Sequence, residues 1–355
     1  MYTQRELAQY IGLKDAPVSW DNCYSIAIIQ MPEKIIWLES EDIEKSIKFY
    51  HLKKERAIIK NLFETAERIK CDEKLKIVAW LLHYILYIDK TKQIFDIWNW
   101  GHNTEMFSVL GNNMLPLIVL LSGREYHIKN MREREYDKTL KKASINGVRQ
   151  ACLKDRNIFG LSGIRFSQMT WGAYFVIGRL IQIKNLQYEL FIDPDLKMRR
   201  MIANLNRRYY KDNEIKCGGN NVFVKVHIPK QKKLHRRKVI ISLRKSEKII
   251  NKFYPFTRRK TIHYFCESWL LSKELDFFLS SNSNIIKFKT LFNTCSEKNG
   301  GRGFYKFLFN QFGIINDTKN LPENTSLQRN VKAYIQIGKT LNDGYGLLKE
   351  DILKR

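Results

Sequence analysis

"VKVHIPKQKKLHRRKVIISL", residues 224–243, holds the transition on which the fold turns. Its first residues alternate as a half-buried strand does, and Pro229 then closes the alternation. Six bases fall within the next nine residues: Lys230, Lys232, Lys233, Arg236, Arg237 and Lys238. Beyond them the spacing becomes helical, with Ile240, Leu243, Ile250 and Phe253 on one face and Arg244, Lys248 and Lys252 outside. A strand hands over to a helix through a dense run of cations, an arrangement suited to an anion.

The charge of the whole chain has the same address. Residues 196–260 carry 21 Lys or Arg against three acids, a net of +18 out of a chain total of +26. A concentrated basic field implies a polyanionic partner: nucleic acid, an anionic membrane, an acidic peptide or a phosphate-rich ligand. The plainer alternative is a solvated surface in a Lys-rich chain. With 355 residues, 44% of them hydrophobic, there is material for two domains with real cores. Six scattered cysteines form no C-x-x-C pair and no metal-ligand spacing with the seven histidines, so no metal is expected and the thiols read as reduced. "MYTQRELAQY" has no basic-then-apolar signal pattern, and the apolar windows 77–88 and 114–121 fall short of the roughly 20 residues a membrane span needs. The expectation is a cytoplasmic protein with both windows as buried core helices.

Residues 40–156 read as helical. Ser40 stands as an N-cap before Glu41, Asp42 and Glu44, and one or two helices follow to Lys70. Asp72 and Glu73 open another, with Leu75, Val78, Leu82 and Ile85 at three- and four-residue steps. "REREYDKTLKKAS" reads as a charged helix with too narrow an apolar face to be central. His83 reads as a satisfied core histidine, and Trp98 and Trp100 as packing residues.

From about Phe159 the texture changes. "YFVIGRLIQIKNLQYELFI" reads as a hairpin about Lys184-Asn185, followed by a basic linker, "KMRRMIANLNRRYYKDNEIKCGGNN". After the strand, the basic run and the helix of the opening stretch come a strand, "TIHYFCESWLL", and a short helix, "SKELDFFLSS". Two strands complete the pattern, "NIIKFKTLFNTC" and "GFYKFLFNQF". The fold class is therefore α+β: an all-helical N-terminal domain over 1–156 and a mixed α/β sheet domain over 157–355.

That order, with "GRLIQIKNLQYEL", "VHIP", "CESWLL", "SNIIKF" and "LPENTSLQRNVKAYIQIG" in succession, resembles a bacterial acyltransferase family that joins a helical N-terminal domain to a GNAT-like C-terminal domain. The resemblance spans about Gly178 to Gly346. It implies that the strand ending at Val226-His227 and the strand containing Cys266-Glu267 splay apart, with acyl-CoA as donor substrate in the gap. Val226 and Ile228 would then line the cofactor, and its phosphates would meet Lys230, Lys232, Lys233, Arg236, Arg237, Lys238 and the next helix's N-terminus. One departure stands out: the usual GNAT phosphate loop is glycine-rich, whereas 229–238 contains no glycine. Either side chains replace close backbone amides, or CoA binding has been lost.

The implied reaction is N-acyl transfer to an amine, which needs a base to neutralise the amine and a proton for the departing thiolate. The base candidates are His227 at the strand end, Glu267 on the neighbouring strand and Glu189 on the hairpin; each also fits a structural role. For the acid, "SKELDFFLSS" offers no tyrosine, which leaves Ser268, Tyr264 or an unaided thiolate. Cys266 reads as a buried strand cysteine, and Thr325 with Ser326 as a helix cap. The acceptor stays open among a small amine, a lysine side chain or other peptide amine, an acidic peptide and an RNA-linked substrate. A different class competes: a non-catalytic nucleic-acid-binding protein on a degenerate GNAT scaffold, to which the arginines and tyrosines of the linker would contribute. Peripheral membrane association is weaker, because no aromatic amphipathic surface accompanies the charge.

Overall fold

The computed structural model describes residues 2–13, 15–21, 23–89, 113–159, 163–191, 194–229, 234–311 and 318–354. Trp98, Trp100, Lys230, Lys232 and Lys233 lie outside these. The chain forms two compact units, Met1–Leu180 and Ile181–Arg355.

The first unit is helical: α1 Gln4–Tyr10, α2 Val18–Asp21, α3 Tyr24–Ile29, α4 Ser40–Phe49, α5 Arg56–Cys71, α6 Glu73–His83, α7 Met114–Ser122, α8 Arg124–Glu133, α9 Lys138–Phe159 and α10 Phe166–Val176. Every residue of α7 is buried, as an all-apolar helix requires, and α6 supplies eight more buried positions. Both apolar windows are thus core helices, and among the described residues no helix is long and apolar enough to cross a membrane. Asp72 caps α6 by accepting from the Leu75 amide at 3.1 Å. His83 is a satisfied core histidine. Its Nδ1 lies 2.6 Å from Ser122 Oγ, its ring stacks on Trp37 and Trp80, and burial holds it down at about 3.

Two helix expectations shift. The N-cap of α4 is Glu39, whose carbonyl accepts from the Asp42 and Ile43 amides, so Ser40 sits inside the first turn. "REREYDKTLKKAS" is two helices, because Glu135 turns into the left-handed region (φ 51°) and Asp137 recaps the chain through the Leu140 amide. Tyr136 and Leu140, on the far side of that break, are buried.

The second unit is built on one six-stranded sheet in the order β1-β2-β3-β4-β6-β5. Its strands are β1 Leu180–Ile183, β2 Leu186–Phe191, β3 Asn221–His227, β4 Thr261–Ser268, β5 Phe292–Glu297 and β6 Asp343–Leu348. The hairpin forms about Lys184 (φ 55°), while Tyr174–Val176 end α10 instead of starting a strand. The expected linker is a helix, α11 Leu196–Tyr209, capped by Asp195. Met198, Met201, Ile202 and Leu205 recur at helical steps and pack on Phe223, Phe265, Tyr345 and Leu347 of one sheet face. On the opposite face lies α12, Arg236–Phe253, which buries Val239, Leu243, Ile250 and Phe253; Ile240 is turned away. Ser242 and Ser246 of α12 meet the strand hydroxyls of Tyr188 and Tyr264 at 2.8 and 2.9 Å.

After β4 the chain makes short helices α13 Leu275–Phe278 and α14 Asn284–Lys289, and later α15 Ser326–Gln336. "NIIKFKTLFNTC" therefore splits: Ser283 caps a helix through the Ile286 amide, and only its second half is strand. "GFYKFLFNQF" is no strand; Phe304–Leu308 form a π-helical turn, and Phe304 and Phe309 enter a small core with Leu275, Val331 and Leu341. The sixth strand is "DGYGLL". A Cβ on Gly344 would lie 2.3 Å from the Leu271 backbone, so glycine there permits the close return of 269–271 over the sheet.

Candidate active site

β3 and β4 are parallel neighbours whose ladder runs from Asn221↔Thr261 to Lys225↔Phe265 and ends there. Both strands continue. β3 follows β2 as far as His227↔Gln187, and β4 follows β6 as far as Ser268↔Gly344. Two adjacent parallel strands thus part company at one end of the sheet, each held by its other neighbour. Val226 is buried, Ile228 is half-buried, and both stand on the β3 side of this opening.

Strand alternation puts Lys225 and His227 on the same face as Glu189, Phe265 and Glu267, the face covered by α11. His227 Nε2 lies 2.8 Å from Glu189 Oε2, and the Glu189 side chain is only 5% exposed. A carboxylate can only accept, so this contact assigns the proton to Nε2 and makes Nδ1 the ring's basic nitrogen. Two of the three base candidates are therefore one hydrogen-bonded unit, set by a diagonal pairing of adjacent strands.

Glu267 stands apart from that unit. Its carboxylate accepts from Lys225 at 2.7 Å and Lys197 at 2.5 Å, and Lys197 also reaches Glu297 at 3.1 Å. Burial would raise this carboxyl, but the Lys225 charge, the two lysine hydrogen bonds and the Lys197 charge outweigh it and hold it down at about 2. An acid so depressed is a fixed anion at neutral pH and a poor proton acceptor. Beside it Asp343 is buried; burial raises its pKa, partly offset by hydrogen bonds from the Gly303 amide and Asn299.

The acid candidates lie on the other face. Ser268 caps the turn 269–271 by accepting from the Leu270 amide at 3.2 Å. The Tyr264 hydroxyl is buried against Ser246, and burial raises its pKa far out of reach. Cys266 is fully buried, which pushes its thiol up to about 12. Among the described residues no cluster of His, Cys, Asp or Glu could hold a metal ion. Thr325 and Gln328 form a reciprocal cap on α15, with Ser326 as its first helical residue.

α12 begins where the basic run ends. His235 is its N-cap and makes no side-chain capping bond, while Arg236, Arg237 and Lys238 fill the first turn and are exposed. Cations beside unpaired helix amides repel one another unless an anion joins them. Along the outer side of the same helix Arg236, Arg237, Ile240, Ile241 and Arg244 border a groove of about 610 Å³ with Asp351 and Ile352.

Sequence reasoning missed Lys225 and Lys197. Lys225 carried a weak signal, being two residues before His227 on an alternating strand. Lys197 carried none, because the basic composition of its segment hides the helix whose first turn it occupies.

A mixed sheet whose central parallel pair splays at one end, flanked by a helix on each face, defines a GNAT-like domain. Residues 180–348 match the model of a family described as the GNAT-like C-terminal domain. Solved acyltransferase structures share the fold across the chain. One, in complex with decanoyl-CoA, is 13% identical over 98% of this chain and 99% of its own, with a TM-score of 0.69. Another, in complex with CoA and 10C-Teicoplanin, is 14% identical over 98% of this chain and 100% of its own, with a TM-score of 0.71. A third, in complex with decanoyl-CoA and teicoplanin, is 15% identical over the same shares, with a TM-score of 0.70. A comparison with curated proteins finds no match.

Proposed function

We propose that this protein is an acyl-CoA-dependent N-acyltransferase. The observation that carries the reading is the His227–Glu189 pair at the end of β3, where the β3–β4 ladder opens. The acyl-CoA complexes of the similar folds add support for the donor, and the teicoplanin complexes for an amine-bearing acceptor.

In this reading the thioester lies in the opening, with Val226 and Ile228 along one side. Arg236, Arg237, Lys238 and the α12 N-terminus receive the phosphates, together with Lys230, Lys232 and Lys233. His227 Nδ1 takes a proton from the acceptor ammonium, directly or through a water, and Glu189 stabilises the resulting imidazolium. The neutral amine attacks the thioester carbonyl. The tetrahedral adduct loses its second amine proton, expels CoA thiolate and leaves an amide. One of the two released protons goes to the thiolate and the other to solvent, which returns His227 to its neutral form. Glu267 stays ionised throughout and takes no proton; Ser268 serves the turn.

The test is native mass spectrometry of the protein with an acyl-CoA series from acetyl to palmitoyl at fixed ionic strength. Stoichiometric binding with a preferred chain length supports the enzyme. Failure of every acyl-CoA to bind, with salt-sensitive binding of a structured RNA, would transfer the basic run to nucleic acid and sink this reading.

A further inference from the structure

The outer face of α12 carries charge that the fold does not use. Its 18 residues hold seven bases and one acid, Glu247. Arg236, Arg237, Lys238, Lys245, Lys248 and Lys252 are exposed, and among the described residues none of them is paired with a carboxylate. Elsewhere in this unit Lys289 and Lys332 do find one, Asp276 at 2.7 Å and Glu323 at 2.6 Å. Arg237, Ile241, Lys245, Lys248 and Lys252 follow one another at three- and four-residue steps, so they form a single ridge about 22 Å long. Ile241 lies 39% exposed in that ridge, and with Ile240 and Ile352 it makes the apolar part of the groove that Arg236, Arg237 and Arg244 border.

A basic ridge around an exposed aliphatic patch is complementary to an acidic amphipathic helix, whose carboxylates meet the bases while an apolar side chain enters the groove. A nucleic-acid strand asks instead for aromatic platforms, and the one aromatic residue of α12, Phe253, is buried. Position decides what such a partner brings. The dyad lies on the sheet face covered by α11, whereas α12 covers the opposite face and is joined to the end of β3 by residues 228–235 alone. A partner on α12 therefore stands beside the donor's phosphates and away from the acceptor's base. We propose that the outer face of α12 docks a small acidic protein that presents the acyl group as a thioester on a phosphopantetheine arm, a second form of donor. The inference rests on the acyl-transfer reading above. The same arm joins the thioester of CoA to its pyrophosphate, so an opening that admits one admits the other. Only the anion beyond the arm differs, and a glycine-free run that grips with side chains suits either. The acceptor amine attacks the carrier-borne carbonyl, its C–N bond forms as the C–S bond breaks, and the arm's thiolate takes one of the two amine protons while solvent takes the other.

The experiment is calorimetric titration of the full protein with a bacterial acyl carrier protein, apo and decanoyl-loaded, at low and high ionic strength, beside titration with decanoyl-CoA. The apo carrier should bind, less tightly as salt rises. The decanoyl form should bind more tightly as its arm enters the opening, and excess decanoyl-CoA should remove that gain. Ile241→Glu combined with Lys245→Glu places like charge against the acidic helix and should lower carrier affinity at least about tenfold. Both residues are exposed and stand outside the proposed phosphate contacts, so the fold and the affinity for decanoyl-CoA should be kept. Lys248→Glu, further along the ridge, should give a smaller loss of the same kind. Absence of carrier binding at low salt overturns the proposal, as does a double variant that binds the carrier as the parent does, or a decanoyl carrier that binds no tighter than the apo form. A structured RNA that binds where the carrier does not, and is lost in the double variant, would overturn it by giving the ridge to nucleic acid. Binding of the carrier with none of decanoyl-CoA would keep the docking face and remove the acyl-CoA reading; the reverse removes the docking face alone.

Discussion

At the scale of single residues, the dyad makes the sharpest demands. In the proposed reaction, replacing His227 with Gln removes the proton acceptor and should lower single-turnover acyl transfer by about 10²–10⁴-fold, the usual worth of a general base. Because His227 makes no phosphate contact in the proposed scheme, affinity for acyl-CoA should be nearly unchanged. Glu189→Gln keeps the hydrogen-bond geometry but loses the charge that supports the imidazolium, so its loss should be smaller and concentrated in kcat. Glu267 answers to a different measurement. In the fold its pKa is held down at about 2, below the ordinary glutamate value of 4.5. The stability it contributes is therefore present above about pH 5 and is lost as pH falls toward 2. Acid titration of thermal stability should be less steep in Glu267→Gln than in the parent across that window; equal slopes would contradict the lysine pairing.

At the scale of elements, α12 carries opposed requirements. Three bases in its first turn add to the positive end of the helix dipole, each costing about 0.3–1 kcal/mol when no anion is bound. Reversing Arg236 and Arg237 to Glu should therefore raise the melting temperature of the ligand-free protein while weakening CoA binding. A fall in both would mean that these arginines serve the fold and not a ligand. The reading of other elements turned on whether a local signal had a competitor. α6 was legible because Asp72 and an apolar period agree. α11 was not, since five bases crowd its 14 residues and only the Met198, Met201, Ile202 and Leu205 spacing marks a buried face. "GFYKFLFNQF" has the composition of a strand, yet its aromatic rings fill a satellite core beside Leu321 and Leu341, residues that the chain supplies much later.

At the scale of the whole molecule, the sequence by itself determined the class of fold, a helical half and a mixed-sheet half. It also determined the concentration of charge at one strand-to-helix junction and a short list holding both members of the dyad. These are local properties: period, composition and the order of elements survive being read one segment at a time. Only the tertiary structure decided which candidates meet. Glu189 and His227 are 38 residues apart and are joined by strand register, while Glu267, equally plausible on the page, is claimed by Lys225 and by Lys197 from 70 residues away. A one-residue slip of β2 against β3 would send Glu189 to the opposite face and dissolve the pair. Register and helix docking are set by the burial of many distant apolar side chains together, which is why a single stretch of sequence could propose the site but could not assemble it.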